Sequence, residues 1–176
     1  QTAKGWRRTP PVSVSGMADI TGITLQTERN LRFHPTVANE RDAAVQALLH
    51  HNCFDLRSGL PGPYVLNLSV EENRLLLECR SEDNGETECL RLPVAGLRSV
   101  VKDYFLICES YYQGMTALCP SRVEAIDMGR RGMHDQGAEL LAEMLKGSVT
   151  LDLETARRLF TLVCVLHIRS HHKVLV

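Results

Sequence analysis

Between residues 64 and 92 apolar and polar positions alternate. Tyr64, Leu66, Leu68 and Val70 fall on one side of the first run and Val65, Asn67 and Ser69 on the other, the period of a strand with one buried face. "RLLLECR" and "TECLRL" continue the pattern behind turn signals at Glu71-Glu72-Asn73 and Asp83-Asn84-Gly85, so these segments read as an antiparallel meander. Upstream, "ITGITL" (Ile20 to Leu25) fits a short strand. Val45, Leu48 and Leu49 recur at helical spacing within a helix expected from Ala38 to Asn52. The Gly/Pro loop "RSGLPGP" separates that helix from the meander.

From Gly96 the period changes. Leu97, Val100, Val101, Tyr104, Cys108, Tyr111, Met115 and Leu118 form one helical stripe, widened by Phe105 and Ile107. Cys119-Pro120 interrupts it, and "SRVE" reads as a capping box that starts a second helix, with Ser121 at the cap and Glu124 three residues on. Gly147 stops that helix. A last one opens at Asp152 and is apolar on nearly all sides from Leu159 to Ile168, the signature of a central core helix. Together these elements predict an α+β domain, a three- or four-stranded antiparallel sheet packed against a helical C-terminal half with that buried helix at its centre.

The turn at Asn84 decides how Cys79 and Cys89 relate. A two-residue Asn84-Gly85 turn pairs Arg80 with Cys89, whereas a three-residue loop of Asp83, Asn84 and Gly85 puts Cys79 opposite Cys89. Both thiols are expected to stay reduced in either register.

Composition narrows the class without naming a reaction. The chain has 176 residues, 44% apolar and 23% charged, ordinary for one globular domain able to bury a sizeable core. Its net charge is −1, but Lys4, Arg7 and Arg8 put +3 on the first sixteen residues, leaving −4 on the rest. A nucleic-acid role would have to be local or confined to the tail, and is not the expectation. Six dispersed cysteines without a CxxC pair point to a reduced cytoplasmic chain, and four of them lie among apolar neighbours as buried, inert thiols. The run Leu159 to Ile168 is about half the ~20 residues needed to span a bilayer, so no membrane segment is expected. Residues 1–16, "QTAKGWRRTPPVSVSG", lack the apolar region of a secretory signal and read as a disordered extension, a processing remnant or an alternative start, with a transit peptide as a lesser alternative. Residues 17–176 are expected to form the single domain.

Candidate chemistry concentrates in "EAIDMGRRGMHDQGAELL" (residues 124–141). Each glycine inside a helix costs about 1 kcal/mol relative to alanine, so Gly129, Gly132 and Gly137 need a reason. In one account, which is favoured, Ile126, Met133, Gly137, Leu140 and Met144 share a face and the glycines admit a close neighbour. In the other, the helix breaks near Gly132 and Asp135 caps a new segment, so that backbone N–H groups join Arg130, Arg131 and His134 around a phosphate or carboxylate. Arg130 and Arg131 would then clamp the anion, Lys102 would add charge, and His134 with Asp135 or Glu109 would be the acid/base pair. Lys102, Asp103, Glu109 and Ser110 lie on the polar side of their helix, where a solvated face is the favoured reading and an interaction surface the other. Tyr104, Tyr111 and Tyr112 are expected to pack, with their hydroxyls at the core edge. His50-His51-x-Cys53 and Cys164 with His167 lack a second ligand pair at matching spacing, so neither a metal nor any other cofactor is expected. Phosphate-loop, dinucleotide, nucleophile-elbow and HExxH motifs are absent.

Three segments, "VVKDYFLICESYYQGM", "PSRVEAIDMGRRGMHDQGAELL" and "LDLETARRLFTLVCVLHIR", closely resemble uncharacterised bacterial protein family number two-six-two, over about Met17 to Arg169. The resemblance implies a small soluble bacterial cytoplasmic protein of one domain, and it implies no reaction. Two functional expectations follow: a non-catalytic interaction or regulatory module with an unknown protein partner, or a protein or enzyme that binds a small anionic ligand at Arg130, Arg131 and His134. Oligomeric state is left open.

Overall fold

The computed structural model describes residues 20–26, 35–117 and 119–172; the side chains of 35–37, 116 and 168–172 lie outside the description, as does the extension expected at 1–16. The elements are β1 (Ile20–Leu25), α1 (Pro35–His50), β2 (Phe54–Leu56), β3 (Tyr64–Glu71), β4 (Arg74–Ser81), β5 (Thr87–Pro93), α2 (Ala95–Ala117), α3 (Pro120–Leu145), β6 (Val149–Leu151) and α4 (Leu153–His172). The α+β reading holds. The sheet order is β1-β3-β4-β5, with the last three strands an antiparallel meander.

Two features of the sheet differ from the sequence reading. β1 joins β3 in parallel, so the four-stranded sheet is mixed. A helix lies between the two strands in sequence, and a connection of that kind returns the chain to the same end of the sheet. A second, two-stranded sheet pairs β2 with β6, bringing Phe54 opposite Leu151 and Leu56 opposite Val149. Strands of three residues are too short to show a period, which is why neither was expected.

Turn chemistry sets the registers. Glu72 (φ 46°) and Asn73 (φ 66°) both occupy the left-handed region, as a two-residue turn between right-twisted strands requires. The β4–β5 turn is longer than either expected form. Ser81 N–H donates to the Glu86 carbonyl and closes a four-residue loop, with Gly85 at φ 75°. The Ser81 hydroxyl donates to the Pro61 carbonyl and accepts from the Asp83 N–H. Cys79 therefore opposes Glu88, and Cys89 opposes Glu78, so the two thiols lie on opposite faces of the sheet. All six cysteines are free; Cys79, Cys108 and Cys164 are buried, Cys89 is half-buried, and Cys53 and Cys119 are exposed. Burial pushes the Cys79 thiol up to about 12 and Cys108 to about 11.

The helices start where proline allows. α3 begins with Pro120, which needs no N–H partner in a first turn, and Cys119 takes the cap position without a side-chain capping bond. The expected cap, Ser121, is already inside the helix. Asp152 does cap α4, its carboxylate accepting from Thr155 N–H at 2.8 Å. α4 is the central helix: Leu159, Phe160 and the whole stretch Leu162 to Leu166 are buried, all but Val165 in one core with α1, α2, α3 and both sheets. Among the described residues, no helix is long and apolar enough to cross a membrane.

Candidate functional site

α3 runs unbroken from Pro120 to Leu145, so the expected interruption near Gly132, with Asp135 as a new cap, does not occur. Packing explains two of its glycines. A Cβ at Gly137 would lie 2.1 Å from Cζ of Phe160, and one at Gly129 would lie 2.7 Å from Cδ1 of Ile107. The packed face is rotated slightly from the expected one: Ala138, Leu141 and Leu145 are buried, whereas Leu140 is 37% exposed. At Gly132 an added Cβ would meet none of the described residues within 4 Å. Gly132→Ala should therefore stabilise the protein by about 0.5–1 kcal/mol, measured by urea unfolding. A loss of stability there would mean the position has a structural role that packing does not reveal.

An unbroken helix still carries a site. Arg130, Arg131, His134 and Asp135, one to five residues apart, share a helical face that looks across at Arg157, Arg158 and Thr161 of α4. With Glu40, Ala43 and Ala44 of α1 and Tyr104 of α2, they line an open cavity of about 430 Å³, within the size range of small-molecule sites. Four guanidinium groups meet two carboxylates in its walls, and Asp127 and Glu154 at its margin answer the excess.

The arginines divide into two that are committed and two that are not. Arg130 donates from Nε and Nη2 to Asp127 Oδ1 (3.1 and 2.8 Å), lies over the Tyr111 ring at 5.2 Å, and faces Glu40 at 3.9 Å. Tyr112 donates its hydroxyl to the same Glu40 carboxylate at 2.7 Å, so Arg130 and Tyr112 together tie α1 to the α2/α3 pair. Arg157 Nε donates to Asp135 Oδ1 at 2.8 Å and its Nη1 to Glu154. Arg131 instead spends only Nε, on Asp127 at 2.9 Å, and its side chain is 73% exposed. Arg158 reaches Glu154 only at 3.8 Å. Both therefore have N–H groups available at the mouth of the cavity. Hydrogen bonding to Arg130, with the charge of both arginines, holds the Asp127 carboxyl below the usual range.

The floor is aromatic and neutral. Tyr104 and His134 line it, and the buried Phe160 packs edge-on against both from beneath, with ring centroids 5.5 to 5.9 Å apart. The Thr161 hydroxyl lies 3.2 Å from the Arg157 carbonyl and 2.8 Å from His134 Nε2, and with its proton on that carbonyl it accepts from the ring nitrogen. Burial lowers the His134 pKa from 6.5, outweighing the pull of Asp135 and Glu40. The unfolded chain thus binds the proton more readily. The stability this neutral ring contributes is complete above 6.5 and is lost as the pH falls through the depressed folded value. Urea midpoints stepped down from neutral pH should decline through this window in the wild type and less in His134→Gln; parallel profiles would assign the decline elsewhere. Asp127 acts in a separate window, below its ordinary 3.8.

Of the residues expected from sequence, the cavity gathers Arg130, Arg131, His134 and Asp135. Lys102 and Glu109 lie elsewhere: both are exposed on α2, outside the lining, and Glu109 accepts from Gln113 at 3.3 Å. The acid/base pairing is not assembled either, because Asp135 is taken by Arg157 and Thr161 is the partner of His134. Arg157, Arg158, Thr161 and Glu40 were missed. The signal was the polar side of "ETARRLFT", where Arg157 and Thr161 stand one turn apart on a helix otherwise read as core. Among the described residues there is no group of three or more His, Cys, Asp or Glu placed to hold a metal ion.

The model of the family described as "Uncharacterised protein family (UPF0262)" matches residues 17–169. The chain belongs to UPF0262. A UPF0262 protein of Paramagnetospirillum magneticum is 47% identical over 148 residues, 84% of this chain and 94% of the relative. Relatives from Rhodopseudomonas palustris strain BisB18 (45%; 84% of this chain, 91% of the relative) and Bradyrhizobium diazoefficiens (42%; 90% and 96%) carry the same family name. UPF0262 has no assigned activity, and no solved structure matches the chain.

Proposed function

We propose that this UPF0262 protein is a non-catalytic ligand-binding domain, a regulatory module whose signal is a small phosphorylated or carboxylated molecule held between α1, α3 and α4. The observation that carries this reading is the mouth of the cavity, where Arg131 and Arg158 keep N–H groups free above a neutral aromatic floor. Planar guanidinium forks suit phosphate and carboxylate oxygens, and the committed pairs Arg130–Asp127 and Arg157–Asp135 hold the walls in place before a ligand arrives. Six free thiols are in keeping with a cytoplasmic location.

A bound anion stabilises the folded chain in proportion to its concentration over Kd. Melting the protein in phosphate, pyrophosphate or citrate should raise Tm above its value in chloride of equal ionic strength. The shift should grow as the pH falls, because an anion beside His134 favours the protonated ring. Equal Tm values in all four salts would end the proposal.

A further inference from the structure

Among the described residues, β5 is paired on one side only. Ser81 N–H donates to the Glu86 carbonyl and Val94 N–H to the Asn73 carbonyl, which fixes the phase of the ladder: Glu88, Leu90 and Leu92 point their backbone groups at β4. The N–H and C=O of Thr87, Cys89 and Arg91 consequently face away from the sheet. A groove of about 960 Å³ runs beside Thr87 and Cys89, and its other wall is the segment Ser58 to Pro61 that leads into β3.

The charge of this groove has one sign. Glu86 and Glu88 line it, and among the described residues no lysine or arginine does. Both carboxylates are positioned: the Ser58 hydroxyl donates to Glu88, and Asn84 Nδ2 donates to Glu86 at 3.0 Å. Glu82 and Asp83 in the adjoining loop extend the acidic region. Open strand edges are normally blunted, and β5 is blunted at its far end by Pro93 and the exposed Arg91, but not at Thr87 to Cys89. A second copy pairing through its own β5 would bring another Glu86 and Glu88 against the first two, so like charges oppose that occupant.

We propose that an extended, basic segment of a partner protein adds to the free edge of β5 as a fifth strand. Its backbone pairs with Thr87 and Cys89, and its lysine or arginine side chains reach Glu86 and Glu88. The site is separate from the arginine-lined cavity and does not depend on what fills that cavity.

The test is fluorescence anisotropy on the full chain with a short labelled peptide that alternates lysine and valine. The peptide should bind, and its counterpart with glutamate for lysine should not. An analogue N-methylated along its edge-pairing side should bind about tenfold more weakly, the equivalent of about one lost hydrogen bond. Glu86→Gln with Glu88→Gln should weaken binding by a similar factor while the circular dichroism spectrum is unchanged. Equal binding of the N-methylated analogue would reduce the effect to charge attraction and overturn strand addition. Equal binding of the glutamate peptide would overturn the basic partner. A dimer in sedimentation that Cys89→Pro dissolves would give the edge to a second copy instead.

Discussion

Gly137→Ala should lower the stability of the protein by about 3 kcal/mol, a fall in Tm of roughly 10 °C for a chain of this size. The added methyl would lie 2.1 Å from Phe160 Cζ and 2.4 Å from both Cε atoms, far inside contact distance. The ring has nowhere to go. Phe160 is fully buried, edge-on to Tyr104 at 5.9 Å and to His134 at 5.6 Å, so yielding means displacing the aromatic floor of the cavity. Gly129→Ala is the control, because its methyl meets only the flexible tip of Ile107. Thermal melts should rank Gly137→Ala well below Gly129→Ala, and Phe160→Leu in the Gly137→Ala background should recover part of the loss. If the two alanine variants melt together, the close crossing of α3 and α4 is not what the glycine is for.

Arg131→Ala combined with Arg158→Ala should reduce affinity for the stabilising anion about a hundredfold and leave the unliganded protein nearly unchanged. Each guanidinium is worth about 1.4 kcal/mol, or tenfold, as a charge-assisted donor to a bound oxyanion. Their own ion pairs are exposed and contribute less than about 1 kcal/mol apiece. Arg130 would be a poor choice for this test, since it holds Asp127 and faces both Glu40 and Tyr111, and its loss would loosen α1. The measurement is titration calorimetry with whichever of phosphate, pyrophosphate or citrate raises Tm most. Unchanged affinity in the double variant, with Tm still raised by the anion, would move the binding site away from this cavity.

The sequence made most of the backbone legible and about half of the cavity. Strands with clean alternation, "YVLNLSV" and "RLLLECR", came out within a residue of their observed ends because each buries one face. Loop lengths did not, since the β4–β5 register depends on the Ser81 hydroxyl reaching back to Pro61, a contact twenty residues away. The parallel partner of β1 and the pairing of β2 with β6 are likewise non-local. At the cavity, the crowded charges of α3 announced themselves, but their partners on α4 sat beside a strongly apolar run that drew attention to the core. Lys102 and Glu109 shared a plausible helical line, and only the packing of α2 against α3 shows that this line faces outward.

The parallel pairing of β1 with β3 bears on the order in which the chain assembles. The β3–β4–β5 meander and the α2/α3 pair join neighbours in sequence, so little chain has to be closed to form them. β1 must instead find a strand about forty residues downstream, as the bond from Thr21 to the Tyr64 carbonyl spans 43 positions. What holds it on the helix side is Asn52, just past the end of α1, whose amide side chain accepts from the Ile20 N–H at 2.9 Å and donates to the Ile20 carbonyl and the Leu48 carbonyl. Within the four-stranded sheet, chain entropy makes β1 the strand added last and released first, with one asparagine as its latch.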